Sequence, residues 1–428
     1  MITTTVVVLL VMLAMSIPIA AVLGMLGLIL DKVYSFLPLW RALGENAWVS
    51  NIEVILVAVP LFIMLGEILL RSGIAEKMYA AATHWLSWLP GGLMHSNIAS
   101  CAMFAAVSGS SVATAATIGT VAIEQIHKRG YNERFFLGSI AAGGTIGILI
   151  PPSINMIVYG VLTQCSIVQV YLAGFTPGFM LAGLFMLTIA IVCMFKPQWG
   201  GQKIETNWKN RFRSLPDLLP PVLLFIVIIG SIYVGIATPT ESAALGVIAA
   251  LVLVAFHKRL SITMLREAFE GTMRSTGMIM AILVAAFFLN FVLTGIGLTH
   301  KVNALITGLG WTPMQTLIAV IAFYVVLGMF METLSMMVAT VPIITPVIVS
   351  LGFDPVWFGV IIILLIETAM ITPPVGINLF VVQGVRGRGA ITDVMIGSSP
   401  FVVTLIIMIV LLVLFPNIAM WLPNSVIR

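Results

Sequence analysis

Two prolines and a glycine interrupt an apolar run that extends from about residue 355 to 385. They stand in the segment Thr372-Pro-Pro-Val-Gly-Ile-Asn378. Each proline removes a backbone donor and clashes with the preceding turn. In hydrocarbon, unpaired backbone groups are tolerated only where they are buried in protein or line a cavity. A second copy, Ile150-Pro-Pro-Ser-Ile-Asn155, lies in the first half of the chain. Two interrupted helices in matching positions of two halves are a sequence mark of a transporter's binding site.

The rest of the chain has the composition such helices require. Of the 428 residues, 60% are hydrophobic and 8% are charged, which excludes an ordinary soluble domain and disorder. Apolar stretches of membrane-crossing length recur throughout, so the expected fold class is an all-α polytopic membrane protein in a lipid bilayer. The runs are continuous rather than alternating, which argues against a β-barrel. The net charge of +4 is no nucleic-acid signal, and no nucleic-acid partner is expected. Cys101, Cys165 and Cys193 lie in apolar segments without metal-ligand spacing and read as packing residues. Residues 1–30 lack a basic leader and a cleavage site, and read as mature membrane sequence.

In chain order, residues 3–30 are apolar around Pro18 and cross once or, bent there, twice. The stretch 31–52 suits the interface. A membrane helix is expected at 53–70 and an interfacial helix at 74–89. Residues 92–107 and 112–126 are short apolar arms joined by Ser108-Gly-Ser-Ser111. They fit a re-entrant helical hairpin, about 92–127. A broken helix follows at about 135–160, then a span at 168–195. Residues 196–214 form a polar connector. The second half repeats the order: 216–235, a bend at Pro239, 242–257, an amphipathic stretch at 260–276 and a helix at 277–294. Arms at 314–331 and 336–350 give a second hairpin, about 314–350. The second broken helix is 355–385, and the last span 400–422.

Landmarks recur at a nearly constant offset. Pro18 and Pro239 differ by 221; Gly24 and Gly246, Ser72-Gly-Ile and Thr294-Gly-Ile, and the two Pro-Pro pairs by 222; Asn155 and Asn378 by 223. Residues 1–195 and 215–428 therefore read as two repeats flanking the connector. Lys and Arg give the orientation. With the connector in the cytoplasm, 16 of the 20 basic residues fall on that side. Equivalent loops then lie on opposite sides: 127–134 is basic and 351–356 is not, whereas 161–167 is uncharged and its partner carries Arg386 and Arg388. The repeats are expected to be inverted.

The two tips and two breaks are the candidate sites. Ser108, Ser110 and Ser111 offer hydroxyls, and Gly109 lets the backbone approach, at a helix N-terminus that also favours an anion. The first break offers Gly144, Thr145, Gly147, Pro152 and Asn155. The second offers Thr368, Thr372, Pro374, Gly376 and Asn378. Glycine admits a ligand to the backbone, and Thr and Asn add oxygens. The second tip is Glu332, Thr333, Leu334 and Ser335. Glu332 and Glu367 are carboxylates within apolar stretches, where ion ligands, proton carriers or pair partners are found. The blander alternatives are small-residue helix packing at the serines and plain proline kinks at the breaks. A kink explains one proline but not Pro-Pro followed by Asn twice. Glu241, after Thr238-Pro239-Thr240, is expected to cap or brace the bend. The five histidines read as interfacial. No HExxH, GxSxG, Walker A or cysteine metal motif is present, so neither an enzyme nor a cofactor is expected.

These motifs resemble the large membrane subunit of tripartite ATP-independent periplasmic (TRAP) transporters, over nearly the full chain. The resemblance rests on Ser108-Gly-Ser-Ser-Val-Ala113, Ile150-Pro-Pro-Ser-Ile154, Thr238-Pro-Thr-Glu241, Val341-Pro-Ile-Ile-Thr-Pro346 and Ile371-Thr-Pro-Pro-Val-Gly-Ile-Asn378. It implies an elevator-type fold like that of the ion-transporter superfamily, in the bacterial inner membrane. It implies sodium-driven import of an organic acid, with a small four-helix membrane subunit and a periplasmic substrate-binding protein. Carried over by motif, one sodium site would use Ser108, Ser110, Ser111 and the Gly144–Asn155 break. The other would use the Glu332–Ser335 tip and the Thr368–Asn378 break. The chain departs from the family pattern at Thr114, where many members carry Asp, and at Glu332-Thr-Leu-Ser335, where many read Asp-x-Thr-Pro. Rival readings are a stand-alone sodium/carboxylate symporter of related fold, a membrane-embedded enzyme and a channel.

Overall fold

The computed structural model describes residues 1–202, 204 and 207–426. Two residues used for the charge orientation, Lys203 and Arg428, lie outside the described residues. Among those described, the chain is helical, with one isolated antiparallel bridge between Tyr131 and Gly200. Among the described residues, seven helices are long and apolar enough to cross a membrane.

The first thirty residues fold back on themselves. Helices Ile2–Ala14 and Ile19–Tyr34 are joined through Ser16, at φ +57°, and Pro18. Thr4 Oγ1 and the Tyr34 hydroxyl, near opposite ends of the sequence pair, meet at 2.6 Å. The turn beyond Tyr34 is tied down by Asp31, which is 3% exposed. Its two carboxylate oxygens accept the Leu39 and Trp40 backbone N–H groups, each at 3.0 Å. Asp31→Ala orphans both donors, and a loss of about 1–3 kcal/mol is expected. A lowered thermal midpoint in detergent checks this; an unchanged midpoint refutes it.

Several boundaries differ from the sequence expectation. The helix expected from 216 begins at Trp208, within the polar connector. Asn207 caps it by accepting the Asn210 N–H at 2.8 Å. Phe212 packs edge-on against Trp85, and these tertiary contacts hold charged turns helical. The stretches 260–276 and 277–294 are one helix, Ile262–Gly295, of 34 residues. Polarity changes along it, but the backbone ladder does not depend on polarity. The last span is Ile391–Leu414 rather than 400–422, and a separate helix, Asn417–Val426, follows. Pro416 ends the span because the residue before a proline is disfavoured in the helical region. Pro239 opens helix Pro239–Phe256, and Glu241 does cap the bend: its carboxylate accepts the Thr238 N–H at 2.8 Å. The 74–89 segment is helical at Ile74–Leu86, but one face is buried. There the Tyr79 hydroxyl donates to Asn97 at 2.9 Å, and Asn97 donates to Ser139 at 2.8 Å. His95, expected at the interface, is 1% exposed and bonded to the Pro90 carbonyl. Cys101 is fully buried against Gly143, a packing role.

Ion pairs join the two halves: Arg386 pairs with Glu133 at 3.0 Å and Asp393 at 3.1 Å, and Arg134 with Asp393 at 2.8 Å. Arg71 pairs with Glu67 and Glu267. Gln202 bonds the Arg129 carbonyl, so the connector rests on the loop after the first hairpin. Elsewhere, the Tyr159 hydroxyl donates to the Pro355 carbonyl at 2.6 Å, joining the helix after the first break to the start of the second broken helix.

Candidate functional site

The first hairpin consists of Leu93–Ser108 and Ser111–Ala122. Gly109, at φ +61°, ends the first arm in the left-handed conformation that glycine adopts without strain. Ser110 caps the second arm by accepting the Ala113 N–H at 3.4 Å. Ser108 Oγ lies 3.2 Å from Thr114 Oγ1, which donates to the Ser110 carbonyl. Of the three tip hydroxyls only Ser111 Oγ is buried without a partner.

The first broken helix runs Glu133–Thr145, tightens into a short turn at Ile146–Ile148, and resumes at Ile154–Thr163. It lies against the tip. A Cβ on Gly109 would sit 2.8 Å from the Pro152 carbonyl, and one on Gly147 would sit 3.2 Å from Ser110 and Ser111. Thr145 Oγ1 donates to the Ala142 carbonyl. Helix Ile167–Phe195 supports the break: its Tyr171 hydroxyl reaches the Ser153 carbonyl at 3.5 Å.

The second hairpin is Pro313–Gly328 and Thr333–Ser350. Glu332 caps its second arm. Its carboxylate accepts the Ser335 N–H and hydroxyl, both at 3.0 Å, and the Thr333 hydroxyl at 2.7 Å. The second break separates Pro355–Met370 from Ile377–Arg386. Gly376 makes the turn at φ +55°. Thr368 and Thr372 donate back to the Leu364 and Thr368 carbonyls. Val375 N–H bonds the Met329 carbonyl at 3.3 Å, which joins break to tip. The two breaks differ in burial: Pro151 and Pro152 are buried, whereas Pro373 and Pro374 are exposed.

The later half of each broken helix crosses to the opposite hairpin. Ile154–Thr163 packs on Thr333–Ser350, and Ile377–Arg386 packs on Ser111–Ala122. Asn378, grouped by sequence with the second tip, therefore lies against the first half. Its Nδ2 donates to the Ala141 carbonyl at 3.2 Å. Asn155, grouped with the first tip, lines a cavity of about 440 Å³ that both tips share. Ser108, Gly109, Ser110 and Ser111 line it from one side, and Glu332 and Thr333 from the other. Ser335, Thr368, Thr372, Pro374, Gly376 and Asn378 are not among its lining residues, nor are Gly144, Thr145, Gly147 and Pro152, which stand behind the first tip. A second cavity, about 500 Å³, lies between Thr163, Asn290 and Thr345, and none of the tip residues lines it.

Gly66, Glu67, Ser275 and Met370 also line the shared cavity and were not singled out by sequence. Gly66 brings its helix onto the Ser108 carbonyl, 3.0 Å from where a Cβ would stand. The adjacent Gly66-Glu67 pair inside an apolar span was the available signal. Glu367 is fully buried and neither oxygen has a hydrogen-bond partner. Its carboxylate lies beside the Leu149 backbone of the first break without reaching hydrogen-bond geometry.

Comparison with known proteins agrees with this architecture. Residues 6–418 match the family model of the tripartite ATP-independent periplasmic transporter, DctM component. The C4-dicarboxylate TRAP transporter large permease protein DctM of Vibrio cholerae is 33% identical over 86% of this chain and 85% of its own length. The ectoine TRAP transporter large permease protein TeaC of Halomonas elongata is 32% identical over 87% of each chain. The isethionate TRAP transporter permease protein DctMQ of Oleidesulfovibrio alaskensis is 32% identical over 87% of this chain and 59% of its own. Among solved structures, the Alcanivorax borkumensis YdaH transporter aligns with a TM-score of 0.64 at 15% identity, covering 95% of this chain and 97% of that one. These relatives are transport permeases, not enzymes. The chain belongs to the DctM family, the large permease component of tripartite ATP-independent periplasmic transporters.

Proposed function

We propose that this permease imports a small organic acid together with sodium, in the bacterial inner membrane. A periplasmic binding protein delivers the solute, and a small four-helix membrane subunit completes the complex. The observation that carries this reading is the cavity bounded by both hairpin tips, where Ser108–Ser111, Asn155 and Glu332 present oxygen donors. Hydroxyl, amide and carbonyl oxygens suit a small hard cation. One sodium ion entering down a 100 mV potential supplies about 2.3 kcal/mol, enough to drive uphill uptake when two or more accompany each solute. The repeats are inverted in this reading. The contacts of loop 127–134 with 386–393, and of Tyr159 with Pro355, support it.

One observation favours a second substrate class. The cavity lining includes Glu67 and Glu332, and among the described residues no Lys or Arg. Glu67 is already paired with Arg71, so Glu332 is the carboxylate that the positive group of a zwitterionic solute would meet. Uptake by the reconstituted complex, with sodium, potassium or protons as the only gradient, tests the coupling. Sodium alone is expected to support accumulation, and indifference to sodium removes the reading. Competition by a dicarboxylate or by a zwitterionic amino acid separates the substrate classes. Uptake by this chain without the binding protein would favour a stand-alone symporter.

A further inference from the structure

Two buried oxygens from opposite halves of the chain lack partners, and both residues pack against the first broken helix. Ser111 is 2% exposed and Asn378 is 0% exposed. Ser111 Oγ and Asn378 Oδ1 both have no hydrogen-bond partner. Two glycines of the first broken helix bring their neighbourhoods together. A Cβ on Gly147 would lie 3.2 Å from Ser111 Cα. One on Gly144 would lie 2.7 Å from the Ala115 Cβ and 3.1 Å from Asn378 Nδ2. Ala115 is one turn beyond Ser111 on the same helix, so the serine and the asparagine flank the same stretch of backbone.

The asparagine's orientation is forced. The Ala141 carbonyl can only accept, so the amide nitrogen must face it. The amide oxygen is then left as a pure acceptor in a dry place. A buried acceptor without a donor is costly, and a hydrogen-bond donor or a cation beside it relieves that cost. No such demand is visible at the second tip, where Glu332 is occupied by Ser335 and Thr333.

We propose that Asn378, contributed by the second half, supplies a ligand to the cation site at the first hairpin tip, beside Ser111. This rests on the sodium reading above and deepens it. A cation held there fixes helix Ile377–Arg386, and with it the break at 371–376. The two halves thus share a binding residue.

The test uses the full chain purified in detergent, with its thermal midpoint followed as sodium replaces choline. Asn378→Ala is expected to weaken the sodium response roughly tenfold or more. Asn378→Asp, protonated on the oxygen that faces the Ala141 carbonyl, keeps both that donor and the free oxygen and is expected to retain the response. The double variant Asn378→Ala/Ser111→Ala should be little weaker than the worse single variant, because both remove one site. Asn378→Ala/Glu332→Gln should be additive. Additivity with Ser111→Ala, or coupling to Glu332→Gln instead, overturns the proposal. Should Asn378→Ala fail to fold, the decision passes to Ser111→Ala and Asn378→Asp: an unchanged response in the first, or a lost one in the second, overturns it. A wild type whose midpoint ignores sodium sinks the sodium reading itself, an outcome distinct from additivity in a responsive protein.

Discussion

Gly109→Ala is expected to abolish most uptake while the protein still assembles. Gly109 sits at φ +61°, and an L-residue there costs roughly 1–2 kcal/mol. That strain alone is tolerable. The decisive contact is with backbone: the new Cβ would stand 2.8 Å from the Pro152 carbonyl of the first break. Neither partner can rotate away, so tip and break must separate. Displacing groups that build a binding site by a fraction of an ångström is expected to lower uptake roughly tenfold or more. Gly130→Ala is the control, because Gly130 also has positive φ, +66°, but nothing within 4 Å of its Cβ position. It carries the same backbone strain without the clash, and should transport normally. Equal losses in the two variants would reduce the effect to strain, and normal uptake by Gly109→Ala would show that the tip and break do not act together.

Gly397→Ala is expected to produce the largest loss of stability. Helices Glu133–Thr145 and Ile391–Leu414 cross at Gly138 and Gly397, backbone against backbone. A Cβ on Gly397 would lie 1.8 Å from the Arg134 carbonyl, and one on Gly138 would lie 2.0 Å from the Gly397 carbonyl. Small residues at such crossings let membrane helices approach closely. Overfilling costs typically about 1–3 kcal/mol and more where backbone must move. Separation would also loosen the Arg134–Asp393 pair and the Ser398 hydroxyl's 3.4 Å approach to the Ile371 carbonyl at the second break. The thermal midpoint in detergent should fall by several degrees. Gly384→Ala, with nothing within 4 Å of its Cβ position, should leave the midpoint unchanged. Equal midpoints for Gly397→Ala and Gly384→Ala would refute this account of the crossing.

The parts of the site that were legible in sequence are those that local chemistry writes into adjacent residues. Pro151-Pro152 and Pro373-Pro374 cannot continue a helical ladder, so both breaks were readable, and helices do stop at Ile148 and Met370. Ser108-Gly-Ser-Ser111 carries a glycine terminator and a serine cap, and the hairpin turns there. Thr238-Pro-Thr-Glu241 spelled out a capped bend. Less legible were boundaries inferred from polarity. Trp208–Ser214 is helical because aromatic contacts and an asparagine cap outweigh its charges.

What the sequence by itself determined is therefore where the chain breaks and turns, that it is built of long apolar helices, and the family those motifs define. Only the tertiary structure decided which hairpin each broken helix serves. Asn378 follows the second tip in sequence but packs behind the first, and Asn155 opens into the cavity shared with Glu332. It also decided that the first Pro-Pro pair is buried and the second exposed. The physical reason is range. Donor loss at proline and positive φ at glycine act within a turn of the residue that causes them. The choice of packing partner depends on how distant surfaces fit, as Gly138 fits Gly397, and no residue carries that fit alone.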